Sequence, residues 1–192
     1  MTFTPKNILA ILAVSFLAAC ASPAQFQNMT VDTGTNTFDT SNSPYHDAIL
    51  VKNIEGGEET NPLWTSEVSS TAFKEALIAS LENVGLLGNL TADAPYELQA
   101  TLLRVDQPFF GLDLKVDSLV RYEIFDKKTG ASVFEKEIPA SHTATFGDSP
   151  FAVQRLRLAN EGSMKSNITG FIEALLESDM PIENKTTAPA TS

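Results

Sequence analysis

Cysteine is almost absent from this chain: among 192 residues there is one, Cys20. A single thiol excludes an intrachain disulfide and any metal centre built from several thiolates. Histidine is nearly as scarce, with only His46 and His142. Two isolated imidazoles without ligand-pair spacing read as surface residues, not as a metal site or a general base. Cations are few, 13 Lys and Arg against 24 Asp and Glu, for a formal net charge of −11. Such a chain is poorly suited to nucleic acid and gains nothing electrostatically at an anionic lipid surface. There is no P-loop, no G-x-G-x-x-G turn and no G-x-S-x-G elbow. His142 and Asp148 stand six apart and miss the H-x4-D spacing of many acyltransferases, and hexapeptide repeats are missing too. The Glu55, Glu58, Glu59 cluster lacks the regular oxygen-ligand spacing of a calcium loop and reads as a solvated charged loop. No catalytic, cofactor-binding or metal-ligating residue is therefore assigned.

What the chain does have begins at its N-terminus. Lys6 is followed by an apolar run from Ile8 to Leu17, interrupted only by Ser15. Leu17-Ala18-Ala19-Cys20 then closes the run with small residues ahead of a thiol. The order basic, apolar, small is that of a secretory signal, here residues 1–19. A transmembrane helix needs about 20 apolar residues, and this run breaks at Ser15, Cys20, Ser22 and Pro23. The end of the segment resembles the bacterial lipobox, in which the thiol takes a diacylglyceryl group and becomes the new N-terminus after cleavage. Cys20 is accordingly the expected lipidation site, with no free thiol left for catalysis. Cleavage removes one cation and no acid, moving the net charge from −11 to −12. Several acyl chains on one residue anchor a protein stably, where a single chain would not. Ala21 stands where many lipoproteins kept in the inner membrane carry Asp. By that resemblance the expected place is the outer membrane, facing the periplasm.

Residues 22–43 are rich in Thr, Asn, Ser, Asp, Gln and Gly. That composition predicts a disordered tether, with a flexible span of about 25 Å and a full extension of about 75 Å. Residues 181–192, ending in Thr-Thr-Ala-Pro-Ala-Thr-Ser, predict a disordered tail. Between them, residues 44–180 predict one domain. A short strand covers Ala48 to Val51. Phe73, Ala76, Leu77, Leu81 and Val84 recur at helical spacing, capped by Ser69 or Ser70 and stopped by Gly85 and Leu86. Alternating residues mark strands over Tyr96–Leu102 and Leu114–Ile124. Asp126 to Gly130 reads as a hairpin turn into a strand from Ser132 to Ile138 that can extend past Pro139 to Phe146. Asp148-Ser149-Pro150 opens a last helix, in which Gly162 is a point of possible break. The predicted fold is α+β, in the order β-α-β-β-β-α. Its antiparallel sheet has three to four strands, with two helices on one face.

Two surface features stand out. Arg155, Arg157 and Lys165 form a local basic group, read as ion-paired with nearby carboxylates. Phe109 and Phe110 lie in a Pro-Phe-Phe-Gly loop between strands. Either they fold back onto the core or, if exposed, they are a partner contact. Four N-x-[ST] sequons, at Asn28, Asn89, Asn167 and Asn184, are taken as chance.

The segments Phe73 to Leu81, Tyr96 to Leu98, Asp106 to Pro108, Val120 to Tyr122, Asp126 to Gly130, and Arg155 to Arg157 through Asn167-Ile168 carry a resemblance by their order. The chain from about residue 45 to 178 resembles uncharacterised lipoproteins of Gram-negative, chiefly alphaproteobacterial, envelopes. More loosely it is similar to the LPS-assembly lipoprotein and to auxiliary lipoproteins of ABC transport systems. That resemblance implies a non-enzymatic binding or scaffold subunit in envelope assembly or transport, with an envelope protein as partner. It carries over no catalytic residue. The competing readings are an envelope hydrolase or acyltransferase, and a lipid carrier with an apolar groove between helices and sheet.

Overall fold

The computed structural model describes residues 22–34, 37–57, 67–89 and 94–178. The predicted signal, Cys20 and the predicted tail lie outside these residues. Seven elements follow in order: α1 (Phe26–Met29), β1 (Ile49–Glu55), α2 (Ser70–Asn83), β2 (Tyr96–Asp106), β3 (Leu114–Asp126), β4 (Ser132–Ala144) and α3 (Ala152–Ser178).

The strands form one sheet in the order β1-β2-β3-β4. The expected all-antiparallel sheet is corrected here, because β1 pairs with β2 in parallel, Ile49 opposite Tyr96 and Val51 opposite Leu98. The reason is the connection. A strand followed by a helix that runs back returns the chain to the end where it began, so the next strand points the same way. β2, β3 and β4 are antiparallel neighbours. Among the described residues the fold is thus α+β with a four-stranded mixed sheet and three helices, not two.

One face of the sheet is buried. Leu114, Val116, Ser118, Val120, Tyr122 and Ile124 alternate along β3 with more exposed residues. They meet α3, whose buried side includes Leu156, Met164, Ile168, Phe171 and Leu175. Tyr122 stacks on Phe171 with ring centroids 4.1 Å apart. Its hydroxyl donates to Asn167 Oδ1 at 2.8 Å, and Asn167 Nδ2 donates to the Ile138 carbonyl at 2.7 Å. Ser163 donates to Ser118 Oγ at 2.9 Å beside them. A fully satisfied polar cluster of this kind fixes the register of helix on sheet. Asn167 has no exposed surface, so its sequon is structural.

The helix limits follow local chemistry. Ser69 Oγ accepts the Ala72 amide at 3.2 Å. Gly85 takes φ +71°, while the Leu86 amide reaches the Leu81 carbonyl and the Gly85 amide the Glu82 carbonyl. Those two bonds make the expected Schellman stop. α3 starts at Ala152, later than Asp148, because Asp148 is engaged in the preceding turn with Thr145. It runs unbroken through Gly162. β4 passes through Pro139 as one strand, which an edge position tolerates.

The tether expected over residues 22–43 is also corrected, for the part described. Met29 and Val31 have no exposed surface, and Ala24 and Thr40 are buried. Phe26 and Phe38 pack against the same core. Polar residues complete the seal. The Val31 amide donates to Ser80 Oγ, Asn83 Nδ2 to the Val31 carbonyl, and Thr40 Oγ1 to the Val84 carbonyl. Composition misled because a few spaced apolar residues suffice to cover the flank of two helices. The polar ones between them serve as specific donors and acceptors, not only as solvated groups.

Candidate functional site: an apolar end of the sheet

Register places two loops side by side. Leu114 at the start of β3 pairs with Ala144 at the end of β4, so the β2–β3 loop and the β4–α3 loop leave the same end of the sheet. Beneath them sits a small separate core of Leu114, Val116, Ala144, Leu156 and Ala159.

Arg155 ties the loops together. It is buried, donating through Nη1 to the Ser149 carbonyl at 2.7 Å and through Nη2 to the Gly111 carbonyl at 3.3 Å. Its guanidinium lies 5.4 Å from the centroid of the Phe146 ring, within cation–π range. The Phe146 amide donates to Asp113 Oδ1 at 3.2 Å, a second link between the loops. Asp148 Oδ2 accepts from the Thr145 amide at 2.7 Å and from its hydroxyl at 2.8 Å. These bonds, the amide first, hold the Asp148 carboxyl below its ordinary pKa. Ser149 Oγ accepts the Phe151 amide.

This scaffold turns large apolar side chains outward. Phe109 is 100% exposed, Phe110 89%, Leu112 74%, Phe151 68% and Phe146 54%. Among the described residues, only Leu103 and Val133 are other large hydrophobics of that exposed class. Apolar exposure is thus concentrated at one end, the arrangement that marks a contact surface and not scattered surface hydrophobics. A cleft of about 750 Å³ opens beside it, lined in part by Val68, Leu102, Val105, Pro108, Phe109 and Leu156.

The other residues singled out in the sequence do not gather here. His46 precedes β1 and lies 3.5 Å from Asp47. His142, near the end of β4, lies over Gly162. The register puts the two at opposite ends of the sheet. Of the basic group, Lys165 pairs with Asp32 at 2.8 Å and Arg157 approaches Glu161 at 3.7 Å. Arg155 departs from the ion-pair expectation, since carbonyl oxygens and not carboxylates take its protons. Sequence reasoning missed Leu112, Phe146 and Phe151. The usable signal was Phe146-Gly147-Asp148-Ser149-Pro150-Phe151, two aromatics flanking turn residues as in the Pro108–Gly111 loop.

The chain's entry point is close by. The Ala24 amide donates to the Glu67 carbonyl at 3.3 Å, and Gln107 Nε2 donates to Glu67 Oε2 at 2.7 Å. Gln107 stands two residues before Phe109. One residue on from Ala24, the Gln25 amide donates to Glu161 Oε1 at 2.8 Å, and Asn28 Nδ2 to Glu161 Oε2 at 2.9 Å. Glu161 is itself buried in α3.

No family model matches the chain, and no curated protein matches it by sequence. Solved structures similar to it include a candidate lipoprotein from Caulobacter crescentus CB15, with 16% identity and TM-score 0.49, covering 71% of this chain and 96% of that one. A Xanthomonas campestris protein of the DUF330 family has 10% identity and TM-score 0.49, covering 68% and 86%. A lipoprotein from Neisseria meningitidis has 11% identity and TM-score 0.41, covering 67% and 97%. Likeness at this level carries no functional argument. Among the described residues, no helix is long and apolar enough to cross a membrane.

Proposed function

We propose that the chain is a lipoprotein of the bacterial envelope, anchored by lipid on Cys20. In this reading it is a non-enzymatic binding or scaffold subunit for envelope assembly or transport. The observation that carries the anchoring is Leu17-Ala18-Ala19-Cys20 closing an apolar segment led by Lys6. The folded body begins only a few residues later, at Ala24. The binding role is supported by the exposed Phe109, Phe110, Leu112, Phe146 and Phe151 end, whose two loops Arg155 ties together. Ala21 favours the outer membrane, facing the periplasm.

Mass spectrometry of the N-terminal peptide from the membrane-extracted protein tests the anchor. The expected peptide begins at Cys20 and carries acyl mass. Cys20→Ser should remove that mass and release the protein from washed membranes. An unmodified Cys20, or a Cys20→Ser protein that stays with the membrane, would refute the reading. Gradient separation of the two membranes tests the outer-membrane assignment, which fails if the protein travels with inner-membrane markers.

A further inference from the structure

We infer that the apolar end of the sheet lies on the bilayer that holds the protein's own lipid, with Phe109, Phe110 and Leu112 reaching into its interface. This rests on the lipid anchor proposed above. Three observations lead to it.

The first is reach. Cys20 precedes Ala24 by four residues, a span of at most about 14 Å. Ala24 is fixed by the Glu67 carbonyl, and Gln25 by the buried Glu161. Glu161 stands nine residues along α3 from Ala152, about 14 Å from the helix start at 1.5 Å per residue. The lipid can therefore come level with the aromatic end and cannot carry the domain far from the membrane. The second is chemistry. Exposed Phe and Leu at a projecting tip suit the acyl–headgroup boundary, where such side chains are favoured. The third is charge. Asp106, Asp113 and Asp148 flank the tip, with Arg104 paired to Asp106 and Lys115 paired to Asp117. No free basic belt is present among these residues, so the contact is apolar and does not call for anionic lipid.

The test uses the full lipidated protein, whose only native thiol is consumed by the anchor. Leu112→Cys then introduces a single reactive thiol at the tip. Lys128→Cys places one in the β3–β4 turn at the far end of the sheet, about 40 Å away along β3. Each variant is labelled with an environment-sensitive fluorophore and reconstituted into phosphatidylcholine vesicles, with and without bromine on the acyl chains. The label at 112 should emit blue-shifted and be quenched several-fold more by brominated lipid than the label at 128. Adding Phe109→Ser and Phe110→Ser should abolish the difference while the protein still floats with the vesicles. A label at 112 that stays in water, on lipidated and vesicle-bound protein, overturns the inference in favour of a protein occupant. Absence of acyl mass at Cys20 would instead overturn the anchoring beneath it.

Discussion

Gly162→Ala sets two effects of known sign against each other. Alanine is better than glycine in a helix interior by about 1 kcal/mol, so on propensity alone the substitution stabilises α3. The structure says otherwise. A Cβ at position 162 would overlap His142 Cδ2 and Cγ and stand 2.7 Å from Nε2. Ordinary carbon contacts are about 3.5–4.0 Å, so the ring must move by more than 1 Å. Cγ is the first ring atom, next to Cβ, and a swing of the ring tip cannot relieve the clash; χ1 must change or β4 must shift from α3. Such overpacking costs about 1–3 kcal/mol, which outweighs the propensity gain. The expected net loss is up to about 2 kcal/mol, or a fall in melting temperature of up to about 8 °C at this size. The decisive comparison is with His142→Ala. In that background Gly162→Ala should reverse sign and stabilise by up to about 1 kcal/mol, measured by thermal or urea unfolding of the soluble domain. If Gly162→Ala raises the melting temperature in both backgrounds, close approach of helix and strand is not why glycine stands there.

Met29→Ala should cost about 2–5 kcal/mol, because a fully buried side chain of the N-terminal segment leaves a cavity; an unchanged urea midpoint would restore the tether. Burial pushes the Tyr122 hydroxyl well above its ordinary pKa of 10.0. Its raised folded-state pKa gives stability that is whole below about pH 10, the unfolded value, and is lost as pH rises toward the folded one. Tyr122→Phe should abolish that alkaline loss in a pH series of unfolding curves, at a cost near neutral pH of about 1–3 kcal/mol for the unpartnered Asn167 Oδ1. Phe109→Ser with Phe110→Ser should leave stability within about 0.5 kcal/mol per site, since neither ring is packed; a large fall in melting temperature would put the rings in the core. Glu161→Ala should free residues 24–28 from α3 and raise their amide exchange selectively, whereas unchanged exchange would show that apolar packing alone holds them.

Much of the body was legible because its signals are local. The stripe from Phe73 to Val84, the Ser69 cap and the Gly85 stop all act within one helix. The Asp126–Gly130 turn is equally local: Asp126 Oδ1 collects the Lys128 and Thr129 amides, and the Gly130 amide returns to the Asp126 carbonyl. Alternation in β3 named its buried face correctly. Strand direction was not legible from alternation, since a period of two is the same in both directions; the helix between β1 and β2 is what carries that information. Residues 22–43 failed for a different reason. Their burial depends on surfaces contributed by α2 and α3, far away in sequence, and average composition does not see five well-placed apolar residues. At the site, Phe109 and Phe110 were visible as an anomaly, but their company was not. Phe146 and Phe151 join them only through the pairing of Leu114 with Ala144 and the bonds of Arg155.

Two buried charged groups, Glu161 and Arg155, then have a common sense. A buried charge is costly unless it is hydrogen-bonded or paired; Glu161 has Arg157 at 3.7 Å, and Arg155 is held by carbonyl oxygens instead of a carboxylate. Glu161 spends its two oxygens on a backbone amide and a side-chain amide of the N-terminal segment. Arg155 spends its terminal nitrogens on carbonyls of the two loops that bear the aromatic rings. An apolar residue at either place would offer no hydrogen bond to the N-terminal segment or to the two loops. Both ionic groups sit on the first half of the same helix, 155 and 161. One sets where the chain enters the fold and the other sets where the rings leave it. α3 therefore fixes the distance between Ala24, where the described chain enters the fold, and the aromatic end, and under the anchor proposed at Cys20 that distance limits how near the tip comes to the membrane.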